Sequence, residues 1–123
     1  MRFEELKDTM GKYSQSQYPY EACGIITKSF NFVPSKNISK RPKHSFMLDP
    51  ILMLDYDKDI WGIFHSHTDD RFVEPSSEDL KMCVYTNLKF ILGINNKFYI
   101  YWYDIDKDIK RYEYFKESHC KNL

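Results

Sequence analysis

Two histidines one residue apart, His65 and His67, close the apolar run Trp61-Gly62-Ile63-Phe64. In an extended strand, residues two apart point to the same face with their Cα atoms about 6–7 Å apart, so both imidazoles can aim at one ion. A catalytic zinc site takes three protein ligands and leaves its fourth position to water, so a further histidine or carboxylate is needed. The downstream candidates are Asp69, Asp70, Glu74, Glu78 and Asp79. Asp69 and Asp70 follow His67 so closely that chelation would need a tight turn, whereas Asp79 falls in the first turn of a predicted helix and is held by regular structure. Each feature also has a plain structural reading. A histidine pair can simply decorate a strand end, and Glu21 beside an apolar strand can be an ordinary exposed carboxylate. Ser76-Ser77-Glu78-Asp79 is equally a capping box, in which Ser76 caps the helix and an acidic residue answers it.

Positioning these groups requires a strand that ends at the histidines and a helix that starts before Asp79. Ile60 to Phe64 reads as a buried strand, residues 68–75 as a loop closed by Pro75, and Ser77 to about Tyr85 as a helix with Leu80 and Val84 on its apolar side. Upstream, Phe3, Leu6 and Met10 are spaced for a helix over residues 3–12 that Gly11 ends, and Gln15 to Pro19 reads as loop. Ala22 to Thr27 predicts a buried strand with Phe30 to Val33 as its partner. The polar stretch Lys36 to Lys43 predicts a surface connection, and Asp49-Pro50 opens a short helix at Ile51 to Leu54. Three strands finish the chain, at Lys89–Ile94, Phe98–Tyr103 and Ile109–Phe115. Asn95-Asn96 and Asp104–Asp108 form the turns between them. The sum is an α+β domain, a mostly antiparallel or mixed sheet carrying two or three short helices.

The bulk numbers exclude several classes. At 123 residues the chain fits one domain, and 42% hydrophobic and 17% aromatic content supplies a core. Lys+Arg and Asp+Glu are both 18, a formal net charge of zero, which argues against binding nucleic acid through phosphates. Cys23, Cys83 and Cys120 are odd in number and far apart, which suits free thiols in a reducing compartment. The charged start MRFEELKDTM is not a signal peptide. No apolar run reaches the roughly 20 residues that a membrane span needs. A soluble protein made inside the cell is expected.

Taken together, Glu21, His65-Ser66-His67 and Ser76-Ser77-Glu78-Asp79 resemble the JAMM motif of the JAB/MPN metalloprotease family, E…H-[ST]-H…S-x-x-D. Pro19-Tyr20-Glu21-Ala22-Cys23-Gly24 is similar to the P-x-E-x-C-G stretch of many prokaryotic and viral members. Asn37, and Phe46 ahead of Asp49-Pro50, also fall where such sequences carry an Asn and an F-x-x-D-P-like stretch. The resemblance runs from about Tyr18 to about Tyr101. The form Glu74-Pro75-Ser76-x-x-Asp79 looks most like the phage tail-assembly branch, the K-type tail tip proteins. Those commonly carry a second, NlpC-type cysteine peptidase domain, which here would be absent or encoded separately. Two departures stand out. Residues 68 to 78 put one residue more between His67 and Asp79 than most members have, and Thr68 replaces the usual proline. Keeping Ser76 and Asp79 together puts the extra residue in the loop; counting from the histidine instead selects Glu78.

The resemblance implies a JAB/MPN-like, cytidine-deaminase-like mixed sheet flanked by short helices, a single domain over residues 1–123 with its motifs between about 18 and 103. It implies a zinc (Zn2+) metallopeptidase or isopeptidase with His65, His67 and Asp79 on the metal. Glu21 would carry the proton from water to the leaving amine, and the Ser76 hydroxyl would donate to the developing oxyanion. Ser66, by strand alternation, points away from the metal and supports the site through hydrogen bonds. Cys23 reads as an inert buried hydrophobe and not a nucleophile; His44 lies in a polar loop and His119 in a C-terminal tail. The implied partners are a protein or peptide substrate and other tail tip proteins, in the host cytoplasm during assembly and in the virion tail. The other readings are a tail tip module that is purely structural, built on the aromatic strands from Phe98 to Phe115, and a processing peptidase for ubiquitin-like or sulfur-carrier proteins.

Overall fold

The computed structural model describes residues 2–69 and 71–120. Phe3, Leu6 and Met10 set one face of the first helix, α1, which runs Arg2–Gln17. It passes through Gly11 and ends later than the spacing predicts. A Cβ at Gly11 would meet only Asn96 and Phe98 at ordinary contact distance, so burial of the α1 face outweighs the roughly 1 kcal/mol helix penalty of glycine.

Strand β1 is Cys23–Thr27 and strand β2 is Phe32–Ser35. The partner strand starts two residues after the predicted Phe30, because Phe30 takes a left-handed turn conformation with φ 63°. Helix α2, Pro50–Asp55, is capped by the Asp49 carboxylate accepting from Ile51 N–H, with proline at its first position. Strand β3 is Ile60–Ser66, helix α3 is Ser77–Thr86, and strands β4, β5 and β6 are Lys89–Ile94, Lys97–Asp104 and Ile109–Tyr114. Asn95 and Asn96 both have positive φ, 51° and 60°, as a two-residue hairpin turn of the primed type requires. A single 3-10 turn, Glu117–Cys120, follows β6.

The strands form one sheet in the order β2-β1-β3-β4-β5-β6. All neighbours are antiparallel except β3 and β4, which are parallel and joined by the crossover through α3. One face packs Phe64, Ile91 and Ile100 under α1 with Phe3, Leu6 and Met10. The opposite face packs Ile63, Phe90, Leu92 and Tyr101 against Cys83 and Leu80 of α3 and Met53 of α2. The domain is therefore α+β with helices on both sides of a mixed sheet. No described helix is long and apolar enough to cross a membrane.

Strand alternation decides what the end of β3 does. Phe64 and Ser66 face α1, whereas Ile63 and His65 face α2 and α3. Gly62 allows the close approach of β4 that this sheet needs, since a Cβ there would sit 2.7 Å from the Lys89 carbonyl oxygen.

Candidate metal centre

His65 sits opposite Cys23 in the antiparallel β1–β3 pair and beside Leu92 in the parallel β3–β4 pair. That places it at the middle of the sheet, fully buried. Beyond the last ladder position, Ser66 Oγ accepts from the Ala22 N–H at 2.8 Å and Ser66 N–H donates to the Ala22 carbonyl at 3.0 Å. This clamp supports the site from the α1 side, as strand alternation predicts, and carries Glu21 against the histidines. Glu21 is itself buried, at 5% exposure, so the exposed-carboxylate reading is wrong. Its N–H donates to the Pro42 carbonyl at 2.7 Å. Its carbonyl accepts from Asn37 Nδ2, which also reaches the Ser45 carbonyl at 2.9 Å. Asn37 thus ties the 36–48 connection to the site, and Phe46 from that connection stacks on the His65 ring at 4.5 Å and 17°.

The acidic side comes from α3. Ser76 Oγ accepts from Asp79 N–H, and Asp79 Oδ2 accepts from Ser76 N–H at 2.9 Å, a complete capping box. The capping and site readings of Ser76 and Asp79 are therefore both true of the same residues. Asp79 Oδ2 lies 3.2 Å from His67 Nε2 and 4.0 Å from His65 Nε2. Glu21 Oε1 lies 4.0 Å from the other His65 nitrogen, Nδ1. The ligand atoms of Glu21, His65 and His67 all lie within 4.8 Å of one another. The structure thus gathers Glu21, His65, His67, Ser76 and Asp79 in one place. Glu78 points elsewhere, exposed and 3.6 Å from Arg41. Asp69 is spent on Arg71 in the loop, and Asp70 lies outside the described residues.

Two observations test whether these residues fit a cation. His67 Nδ1–H donates to the Phe72 carbonyl at 2.8 Å, which in the neutral imidazole leaves Nε2 as a lone pair facing the Asp79 carboxylate. Two acceptors at 3.2 Å need a proton or a metal ion between them. His65 Nδ1 is buried without a hydrogen-bond partner, the one such side-chain atom among the described residues. Donor atoms of a tetrahedral zinc with nitrogen and oxygen ligands are about 3.4 Å apart, close to the 3.2 Å from Asp79 to His67 Nε2 and shorter than the 4.0 Å from Asp79 to His65 Nε2. The donor set fits a divalent metal.

The surroundings treat the titratable groups differently. Burial pushes Glu21 up to about 8, with His67 pulling down and Asp79 and Glu78 adding to the rise. Burial also works against the Asp79 charge, yet His65, the hydrogen bond to His67 and the Ser76 N–H hold it well below the usual carboxylate range. Burial lowers His65 to about 4. For His67 the same penalty is outweighed by Asp79 and the Phe72 carbonyl, so its value is raised. Cys23 is buried and its thiol is pushed up to about 12 by burial, which leaves it unreactive. The free thiols Cys83 and Cys120 are likewise buried.

Three site residues escape a reading of the sequence. Tyr101 is fully buried with its hydroxyl 2.7 Å from His65 Nε2. The Phe72 carbonyl orients His67, and Tyr112 reaches the same loop from β6. Register brings Tyr101 and Tyr112 to these partners across 36 and 39 positions, and no local motif marks them. His119 is not a tail decoration: it sits in the 3-10 turn, and its Nε2 lies 2.6 Å from Glu113 Oε1.

A mixed six-stranded α+β domain with a buried glutamate, two histidines and an aspartate at the end of its central strand defines a candidate metal-binding domain. The chain belongs to the family of prokaryotic homologs of the JAB domain, whose model matches residues 3–111. No curated protein matches it significantly.

Proposed function

We propose that this protein is a zinc-dependent peptidase or isopeptidase of the JAMM type that acts on a protein or peptide substrate in phage tail tip assembly. The observation that carries the hydrolytic reading is the convergence of two buried carboxylates, Glu21 and Asp79, on one histidine pair; their surroundings also tune them oppositely. A metal ligand must be deprotonated, and Asp79 is held ionised. A group that takes and returns a proton near neutral pH is best poised there, and Glu21 is pushed up to about 8. His65, His67 and Asp79 are accordingly the metal ligands, and Glu21 is the proton carrier. This choice prefers Asp79 to Glu21 as third ligand, although Glu21 is the carboxylate whose oxygen clusters with both histidine nitrogens.

Zinc bound there supplies a Lewis acid and brings the acidity of water towards neutrality. Glu21 takes the water's proton and delivers it to the leaving nitrogen. Ser76 Oγ accepts from Asp79 N–H, so its own O–H is free to donate to the oxyanion as charge develops. Phe46, stacked on the His65 ring, keeps it from rotating. Space lies on both sides of Ser76. A cleft of about 480 Å3 is bordered by Glu21, His67 and loop 68–75, and an apolar groove of about 690 Å3 is bordered by Phe46, Leu48, Met53 and Met82. An extended chain can then lie across the centre with residues on either side of the scissile bond. The tail tip assignment is supported by Glu74-Pro75-Ser76-x-x-Asp79.

Glu21→Gln tests the reading. The variant should keep zinc and fold, and lose peptidase activity by about 10²–10⁴-fold, the usual contribution of general acid–base catalysis. In an infection or assembly assay it should fail. Normal particles from Glu21→Gln would make the domain a structural component with a metal staple, and zinc lost from that variant would make Glu21 a ligand.

A further inference from the structure

The geometry points to Tyr112 as a positioning residue for the metal centre: from the last strand it holds loop 68–75 so that the Phe72 carbonyl fixes the tautomer of His67. In the β5–β6 register Tyr101 pairs with Tyr112 and Tyr99 with Tyr114. Directly opposed residues share a face, so Tyr112 stands on the same side of the sheet as Tyr101 and His65. Its ring stacks on Tyr99 at 5.4 Å and 13°, which fixes where the hydroxyl goes. That hydroxyl donates to the Val73 carbonyl, 39 residues earlier in the chain.

Val73 follows Phe72, whose carbonyl accepts the Nδ1–H of His67. Among its described residues the loop holds no helix or strand. A turn closed by Phe72 N–H on the Asp69 carbonyl at 3.0 Å and the Thr68 hydroxyl on the Lys43 carbonyl at 3.3 Å hold its first half. The tie to Tyr112 holds its second half against the sheet. A histidine can present Nε2 to a metal only while Nδ1 keeps the proton, and the partner of Nδ1–H decides that. Tyr112 touches neither the histidine nor any ligand, so it acts through the loop.

This inference rests on the metal reading above, and the experiment separates the two. The wild-type protein and the variants Tyr112→Phe and Tyr114→Phe are prepared metal-free, and the ring nitrogens of His67 are followed by long-range 1H–15N NMR at a pH where the imidazole is neutral. All three are read with Asp79 replaced by Asn, so that no carboxylate draws the proton to Nε2; the parent and Tyr114→Phe should then show a single Nδ1–H tautomer, and Tyr112→Phe a mixture. Zinc titration with Asp79 intact should give binding about 3- to 10-fold weaker for Tyr112→Phe, below the 10–100-fold typical of a direct outer partner, with Tyr114→Phe unchanged. Thermal melting of all three checks that the fold is kept. An unaltered tautomer in a folded Tyr112→Phe overturns the proposal, whatever the zinc result. A parent that shows the tautomer, with a wild type that takes up no zinc, overturns the metal reading and leaves the latch standing.

Discussion

Glu21 and Asp79 are both buried carboxylates within reach of the same two histidines, and their neighbours treat them oppositely. In the metal-free protein the folded-state value of Glu21, about 8, stands above its ordinary 4.5. Between those pH values the folded state binds more protons than the unfolded one, so this group's contribution to stability falls as pH rises from about 4.5 to about 8. Glu21→Gln removes that dependence. The variant should melt higher than wild type without metal, with a gap wider at pH 8 than at pH 5, as thermal melts in chelator would show. Ligand assignments are tested separately. His65→Ala and His67→Ala should each abolish the expected stoichiometry of about one zinc per chain, since two remaining ligands rarely hold zinc tightly. Asp79→Asn should weaken binding strongly, and Glu78→Gln should leave it nearly unchanged. The Tyr101 hydroxyl occupies His65 Nε2, the nitrogen that faces Asp79. Tyr101→Phe should therefore tighten zinc binding; weakened binding in a competition titration would assign Nδ1 and Glu21 to the metal instead.

At the level of elements, one short helix start does two things. Ser76 caps α3 and borders both the cleft and the apolar groove. Ser76→Ala should cost about 1 kcal/mol of stability through the lost cap, and about 10²–10³ in rate through the lost donor. Ser76→Gly should cost only a few tenths of a kcal/mol in capping while losing the same rate, so denaturant melts and turnover together separate the two roles. The Asn95-Asn96 turn joins β4, which flanks His65, to β5, which carries Tyr101. Both residues sit at positive φ, where β-branched side chains are strained. Asn96→Val should cost about 1–2 kcal/mol, and Asn96→Gly should be neutral or stabilising in the same melts.

For the molecule as a whole, the centre concentrates opposed demands. It buries Glu21, His65 and Asp79 together at the end of the central strands, and it leaves His65 Nδ1, on the Glu21 side, without a hydrogen-bond partner. On the proposed reading zinc would bind the folded state and stabilise it by mass action. Chelator should lower the melting temperature, and added zinc should restore it in wild type but not in His67→Ala. The clamp between Ser66 and Ala22 joins this centre to the α1 side of the sheet. Ser66→Ala strands the buried Ala22 N–H, at a cost of about 1–3 kcal/mol.

Much of this was legible in one dimension. The period-two spacing of His65 and His67, the capping pattern at Ser76 and Asp79, and the apolar runs of β1, β3 and β4 are local signals, and local sterics and burial determine them. The sequence also carried the α+β class and every strand. Packing overrode local preference where α1 runs through Gly11 and where β2 begins after Phe30 takes its turn; Val84, expected on the apolar side of α3, is exposed, and Glu21, readable as an exposed carboxylate, is buried. What the linear order leaves open is which distant groups face one another. Asp79 and not Glu78 faces the histidines because the α3 cap turns it inward. Tyr101 meets His65, and Tyr112 meets loop 68–75, because the registers of β4, β5 and β6 bring them to one face. Those meetings depend on hydrogen-bond ladders between strands far apart in the chain, and they leave no periodicity in the residues that take part.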